Sequence, residues 1–200
     1  KGVDEWLAQG LQPLMAVKKM AMSGRHNVAN ALAALALGQA VGLPMDAMVN
    51  TLATFTGLPH RCERVANIGG VDYINDSKGT NLGATVAALE GLGPGLAGKI
   101  ILIAGGVGKG PDFSDLVAPL SRYGKQTLLI GEDAQHIEQA LAEKVAFSHA
   151  KDMQEAVSLA YQQAVSGDLV LLSPACASFD AYSSFEARGD HFAKLVWALT

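Results

Sequence analysis

The sequence predicts an α/β fold: a mostly parallel sheet flanked by helices, preceded by a helical segment. Beyond residue 65, short apolar runs alternate with helix-length segments, the rhythm of strand–helix–strand units. Within that stretch, Ile100-Ile101-Leu102-Ile103-Ala104 holds no polar residue, which suits a strand buried on both faces. Composition agrees. Hydrophobic residues make up 50% of the 200 and charged ones 17%, enough for a large core and too little charge for a disordered chain.

Taken in order, Ser23-Gly24 opens an Ala/Leu-rich helix from Arg25 to Val41, and Gly42 and Pro44 stop it. A second helix runs from Met45 to Phe55. Gly57-Leu58-Pro59-His60-Arg61 has the composition of a linker. Residues 1–57 therefore read as the helical end of one domain and residues 58–200 as another. Val65–Ile68 and Val71–Asn75 flank Gly69-Gly70 as a hairpin. Strands follow at Lys99–Ala104, Gln126–Ile130, Val145–Phe147 and Asp168–Leu172. Helices follow at Asn81–Leu92, Phe113–Arg122, Ala134–Glu143, Asp152–Val165 and Ser184–Leu199.

Several function classes fall away. Fifteen Lys and Arg against 19 Asp and Glu leave a formal charge of −4, and the pI is near 5.7. Non-specific nucleic-acid binding needs a basic face, so no nucleic-acid partner is expected. Mean hydropathy is +0.22, but the most apolar stretch, Ala31–Gly38, is flanked by Asn30 and Gln39. It falls short of the roughly 20 residues a membrane span needs, so a buried helix is expected there and no membrane contact. Asp4, Glu5 and Gln9 interrupt any signal-peptide core. Cys62 and Cys176 sit in no metal-ligand spacing, and two free thiols suggest a reducing cytoplasm. A start at Lys1 rather than Met suggests a piece of a longer chain.

In parallel sheets ligands sit outside the carboxyl ends of the strands, and three loops fall there. The first, Asp76-Ser77-Lys78-Gly79-Thr80-Asn81, places an acceptor, a cation and a hydroxyl beside a helix N-terminus. It reads as a site for phosphate or carboxylate, or simply as a helix capped by Thr80 or Asn81. The second, Gly105-Gly106-Val107-Gly108-Lys109-Gly110-Pro111-Asp112-Phe113, matches neither the Walker spacing nor the dinucleotide pattern, whose third glycine would fall at Pro111. It leaves a flexible backbone with one Lys, suited to an anion or merely solvated. The third runs from Ser173 through Asp180 and on to Phe185 and Arg188-Gly189. Its small residues allow close backbone approach, and Ser178 can hydrogen-bond. Cys176, between Ala175 and Ala177, lacks an activating base and reads as a buried thiol. In the helical piece Asn27 and Asn30 share a helix face, where carboxamides suit the edge of adenine or a helix cap. His26 reads as an ordinary helix-start residue, and His60 and Arg61 lie at the linker, where a cation could reach a phosphate.

The series Gly24-x-His26-Asn27-x-x-Asn30, Gly57-Leu58-Pro59-His60-Arg61-x-Glu63, Asn75-Asp76-Ser77-Lys78-x-Thr80-Asn81, Gly105-Gly106-x-x-Lys109-Gly110-x-Asp112-Phe113 and Leu172-Ser173-Pro174-Ala175-x-Ala177-Ser178-Phe179-Asp180 resembles the Mur ligases. The last element, with Phe185 and Arg188-Gly189, is most similar to the branch that adds D-glutamate. The resemblance implies a Rossmann-like amino-acid-binding C-terminal domain at 58–200 and, at 1–57, the tail of the central ATP-binding domain. It implies an ATP-dependent ligase of peptidoglycan precursor synthesis. That ligase adds D-glutamate to UDP-N-acetylmuramoyl-L-alanine through an acyl phosphate, with ATP and Mg²⁺ acting in the full-length, cytoplasmic, monomeric enzyme.

By the same resemblance Asn27 and Asn30 face adenine, and Arg61, Asp76 and Lys78 contact ribose and phosphates. Lys78 and His60 serve catalysis at the reaction centre. Thr80, Lys109, Ser178, Phe179 and Phe185 hold D-glutamate, Lys109 through a carboxylate and Phe185 partly through its backbone. No metal ligand is assigned in these residues. The ATP loop of the family lies upstream of them, so the piece alone is expected to be inactive. Gly79, where Ala is common, and Val107-Gly108, where an acidic residue is common, depart from the pattern. A glutamate ligase like folylpolyglutamate synthetase and a non-catalytic Rossmann-like module are the alternatives.

Overall fold

The structure is a computed structural model that describes residues 4–22, 24–108, 110 and 112–199, the side chain of His26 excepted. Ser23, Lys109 and Pro111 lie outside the described residues. The chain forms two compact units, Lys1–Gly57 and Leu58–Thr200.

The first unit opens with an element the sequence reading did not anticipate: β1 (Trp6–Gln9) pairs antiparallel with β2 (Gln12–Ala16). Gly10, at φ +58°, makes the turn. The signal is weak because the strands are only four and five residues long and Pro13 interrupts the second. Helices α1 (Arg25–Ala40) and α2 (Met45–Thr54) follow. Leu7, Met15, Met20, Ala31 and Leu35 form the core. Contrary to the expectation of a buried helix at Ala31–Gly38, α1 buries one narrow stripe and leaves Leu32 and Leu37 exposed. A hairpin and one short helix can cover only one face of it. Among the described residues no helix is long and apolar enough to cross a membrane.

In the second unit β3 (Glu63–Ile68) and β4 (Val71–Asn75) form the expected hairpin, with Gly69 and Gly70 both at positive φ. Then come α3 (Leu82–Leu92), β5 (Ile100–Gly105), α4 (Val117–Tyr123) after a 3-10 turn, and β6 (Gly124–Ile130). Next are α5 (Ala134–Leu141), β7 (Phe147–His149), α6 (Met153–Gln163), β8 (Leu169–Leu172) and α7 (Phe185–Trp197). The sheet order is β3-β4-β8-β5-β6-β7, parallel throughout except for β3. β7 lies two residues later than expected, because its register on Thr127–Leu129 of β6 selects Phe147–His149.

Side chains alternate across the sheet. Ile100, Leu102 and Ala104 of β5 pack with Leu89, Leu120 and Ile137, the layer of α3, α4 and α5. Ile101 and Ile103 pack with Val157, Phe192 and Val196, the layer of α6 and α7. All six β5 residues are buried, which is why the run carries no polar side chain. The chain leaves β4, passes over to β5, moves outward to β7 and returns to place β8 between β4 and β5. The carboxyl ends of β4, β5, β6 and β8 therefore share one rim, at the point where strand order reverses.

Candidate functional site

Four loops meet at this rim, and backbone bonds knit them together. The loop after β4 joins the loop after β8: Ala175 N donates to Gly79 O at 2.9 Å, and Ser173 Oγ to Asp76 Oδ2 at 2.7 Å. The loop after β5 joins the same β8 loop through a two-bond bridge between Val107 and Ala177, at 3.0 and 2.9 Å. The loop after β6 closes on the β5 loop, where Asp133 N donates to Gly106 O at 2.9 Å. Gly105 and Gly106 stand at φ +124° and +133°, and a side chain on either would strike backbone oxygen, of Ile130 or of Ala177.

Asp76 is buried and acts as a brace, accepting from Cys62 N at 3.2 Å as well as from Ser173. Asn81 caps α3 by accepting from Ala84 N, which relieves the neighbouring, half-buried Thr80 of that task. Lys78 is half-buried, with Nζ 3.9 Å above the Phe185 ring. The Phe185 carbonyl is occupied by Ser77 Oγ at 2.7 Å, so any backbone contact to a ligand falls to its N–H at the start of α7.

His60 packs beneath this loop. Its carbonyl accepts from Lys78 N at 3.0 Å, and its own N–H donates to Glu63 at 2.9 Å. Asn75 Nδ2 donates to Nδ1 at 3.0 Å, which puts the ring proton on Nε2, 3.7 Å from Asp190. Residues His60 and Cys62 both hold positive φ around the exposed Arg61, a strain that persists only because these partners fix the turn. Gly189 of α7 gives the ring its room: a Cβ there would come closer than 3.0 Å to His60 Nδ1.

Among the described residues Arg188 is the largest fully buried side chain. It donates to Ser77 Oγ at 3.0 Å, Ser77 O at 2.9 Å and Cys176 O at 3.2 Å, tying α7 to both loops. Burial pushes its pKa down to about 10. It also lines a cleft of about 110 Å³ with Gly106, Gly131, Asp180 and Tyr182. Burial, and for Cys62 the neighbouring Asp76 carboxylate, pushes the thiols of Cys62 and Cys176 up to about 12, so both stay protonated and poorly nucleophilic. Ser178 is buried and Phe179 is 76% exposed, so the two neighbours face different surroundings.

Thr80, Lys78, Ser178, Phe179, Phe185, Asp76, His60 and Arg61 thus belong to one connected set of segments in the second unit. Asn27, half-buried, and Asn30, exposed, stand on α1 in the first unit. Lys109 lies outside the described residues, between Gly108 and Gly110. Sequence reasoning passed over Gly131-Glu132-Asp133, which reads as an ordinary turn and cap. It also assigned no role to Arg188, whose three acceptors lie far off in sequence or on backbone. Among the described residues no group of three or more His, Cys, Asp or Glu could hold a metal ion.

Residues 60–176 match the family described as Mur ligase, glutamate ligase domain. The chain belongs to the Mur ligase family. Within it, the chain is 54% identical over 193 residues to the UDP-N-acetylmuramoylalanine–D-glutamate ligase of Nitrosococcus oceani, covering 96% of this chain and 42% of that protein. The corresponding ligase of Marinobacter nauticus is 53% identical, over 97% of this chain and 43% of its own length. The chain therefore spans less than half of these Mur ligases. Among solved structures it resembles folylpolyglutamate synthase of Mycobacterium tuberculosis, with a TM-score of 0.67 at 17% identity over 90% of this chain and 42% of that one. The UDP-N-acetylmuramate-alanine ligase of Thermotoga maritima gives 0.62 at 16% identity over 90% and 39%. At such identities these two likenesses speak for the Mur ligase fold alone.

Proposed function

We propose that the chain is the amino-acid-accepting part of an ATP-dependent ligase that joins D-glutamate to UDP-N-acetylmuramoyl-L-alanine. The observation that carries this reading is the convergence of the β4, β5 and β8 loops on one rim, in a chain about half identical to ligases named for that reaction. The carboxylate of UDP-N-acetylmuramoyl-L-alanine attacks the γ-phosphorus of ATP, an O–P bond forms, the bond to the β-phosphate oxygen breaks, and ADP leaves an acyl phosphate behind. The amine of D-glutamate then attacks the acyl carbon, a C–N bond forms, the C–O bond to phosphate breaks, and phosphate leaves with the electron pair while the amine loses a proton. The protein's task is to position the amine and balance charge.

In this reading Lys109 pairs with a carboxylate of D-glutamate, and Thr80 and Ser178 hydrogen-bond it. Phe185 and Phe179 border it. Lys78 and Arg61 offset phosphate charge, Asp76 contacts the ribose and phosphates and also holds the Arg61 segment through Cys62, and His60 lies beside the reacting groups. Asn27 and Asn30 receive adenine. The donor set suits a nucleotide triphosphate: two cations on one short stretch of rim. The described residues offer no cluster of His, Cys, Asp and Glu for Mg²⁺. A reaction on nucleotide-linked substrates at the expense of ATP belongs in the cytoplasm, and a monomer suffices for it.

The test is Lys109→Ala in the intact ligase. The KM for D-glutamate should rise more than about tenfold, the scale of one lost charged hydrogen bond. An unchanged KM, or turnover with a folate in place of the nucleotide-sugar, overturns the reading.

A further inference from the structure

We infer that Asp133 is a positioning residue for the amino-acid site: it holds the glycine-rich loop after β5 at Gly106 and Gly108, on the stretch of chain that leads into Lys109. The inference rests on the proposed role of Lys109. The loop Gly105-Gly106-Val107-Gly108-Lys109-Gly110 has four glycines in six residues, so its own side chains do little to fix its path. The bridge of Val107 to Ala177 holds one side. Asp133, in the neighbouring β6 loop, holds the other at two points. Its N–H donates to Gly106 O at 2.9 Å, and its carboxylate accepts from the N–H of Gly108, the residue before Lys109.

What the carboxylate does not do is equally informative. Asp133 occupies the N-cap position of α5, where an Asp ordinarily bonds the helix's own free N–H groups. Asn81, Asp152 and Ser184 do so for α3, α6 and α7. The Asp133 side chain makes no such cap bond. It turns instead to the adjacent loop, and His136, one turn along α5, holds it there with Nδ1 2.5 Å from Oδ1. The His136 contact is the main cause holding the Asp133 carboxyl below its ordinary value, with the Gly108 N–H adding to it against burial. The side chain is 16% exposed, against 68% for His136, so the bond to the loop is sheltered and its support is at the surface.

The experiment uses the intact ligase with two readouts, amide exchange at Gly108 and the steady-state constants. Asp133→Ala should speed Gly108 exchange and raise the KM for D-glutamate by about tenfold, with kcat and the KM for ATP within about twofold. Asp133→Asn keeps an acceptor oxygen and should restore most of that loss. His136→Ala, which leaves the carboxylate present but unsupported, should move both readouts the same way by less; it also carries the test should Asp133→Ala fail to fold. Unchanged Gly108 exchange in the Asp133 and His136 variants refutes the inference whatever the function. Freed exchange with an unchanged D-glutamate KM, while Lys109→Ala raises it, refutes the inference and leaves the function standing. A silent Lys109→Ala refutes the functional reading and this inference with it.

Discussion

Gly189→Ala isolates what a single methyl does to the imidazole of His60. The new Cβ would lie closer than 3.0 Å to His60 Nδ1 and 3.0 Å from both polar atoms of the Asn75 amide. Ordinary contact begins near 3.4 Å, and the His60 backbone is fixed by its bonds to Glu63 and Lys78. The ring must therefore retreat by about 1 Å, and with His60 beside the reacting groups, as proposed, a displacement of that size typically costs about a hundredfold in rate. Stability should fall by about 1–3 kcal/mol, because the overpacking and the lost Asn75–His60 bond outweigh the roughly 1 kcal/mol that alanine returns in a helix. The assay is kcat of the intact ligase beside a urea unfolding curve. A drop in kcat of about two orders of magnitude is expected in the absence of urea, where the unfolding curve shows the variant still folded. Full activity, or loss of activity only in step with unfolding, would refute the reasoning.

Two further outcomes follow from buried charge. Arg188→Met leaves Ser77 O and Cys176 O without their donor and should destabilise the chain by about 2–4 kcal/mol, read as a shift in urea midpoint; no shift would mean that other donors replace the guanidinium. Asp168 is buried; burial raises its pKa, but bonds from Lys125, Lys99 and Val165 outweigh that and hold it below its ordinary 3.8. Its contribution is therefore complete above that ordinary value and is lost as pH falls through the lower folded one. Asp168→Asn should flatten the acid limb of a stability–pH curve below about pH 4, and an unaltered limb would exclude the carboxylate as its source.

The parts of the fold that sequence displays are those where one local rule decides. β5 is legible because burial on both faces bans polar residues, and α3, α6 and α7 because Asn81, Asp152 and Ser184 mark their starts. The hairpin at β1 and β2 is not, since four or five residues carry too little alternation to outweigh Pro13. At the rim, Thr80, Ser178 and Lys78 stand out by residue type at strand ends. Arg188 and Asp133 do not, because what defines them is the direction their side chains take. An Asp before a helix looks like a cap until coordinates reveal it reaching across to another loop.

The position of β8 has a consequence for how the molecule is made. Of this sheet's six strands it is synthesised last, yet it sits at the middle and pairs with both β4 and β5. A ribosome that has released everything up to α6 has produced two half-sheets with open inner edges and no shared ladder. Such long-range pairing is slow and leaves sticky edges exposed in the meantime. Nascent chains stopped short of residue 172 should be prey to proteases and to one another until β8 joins the two half-sheets.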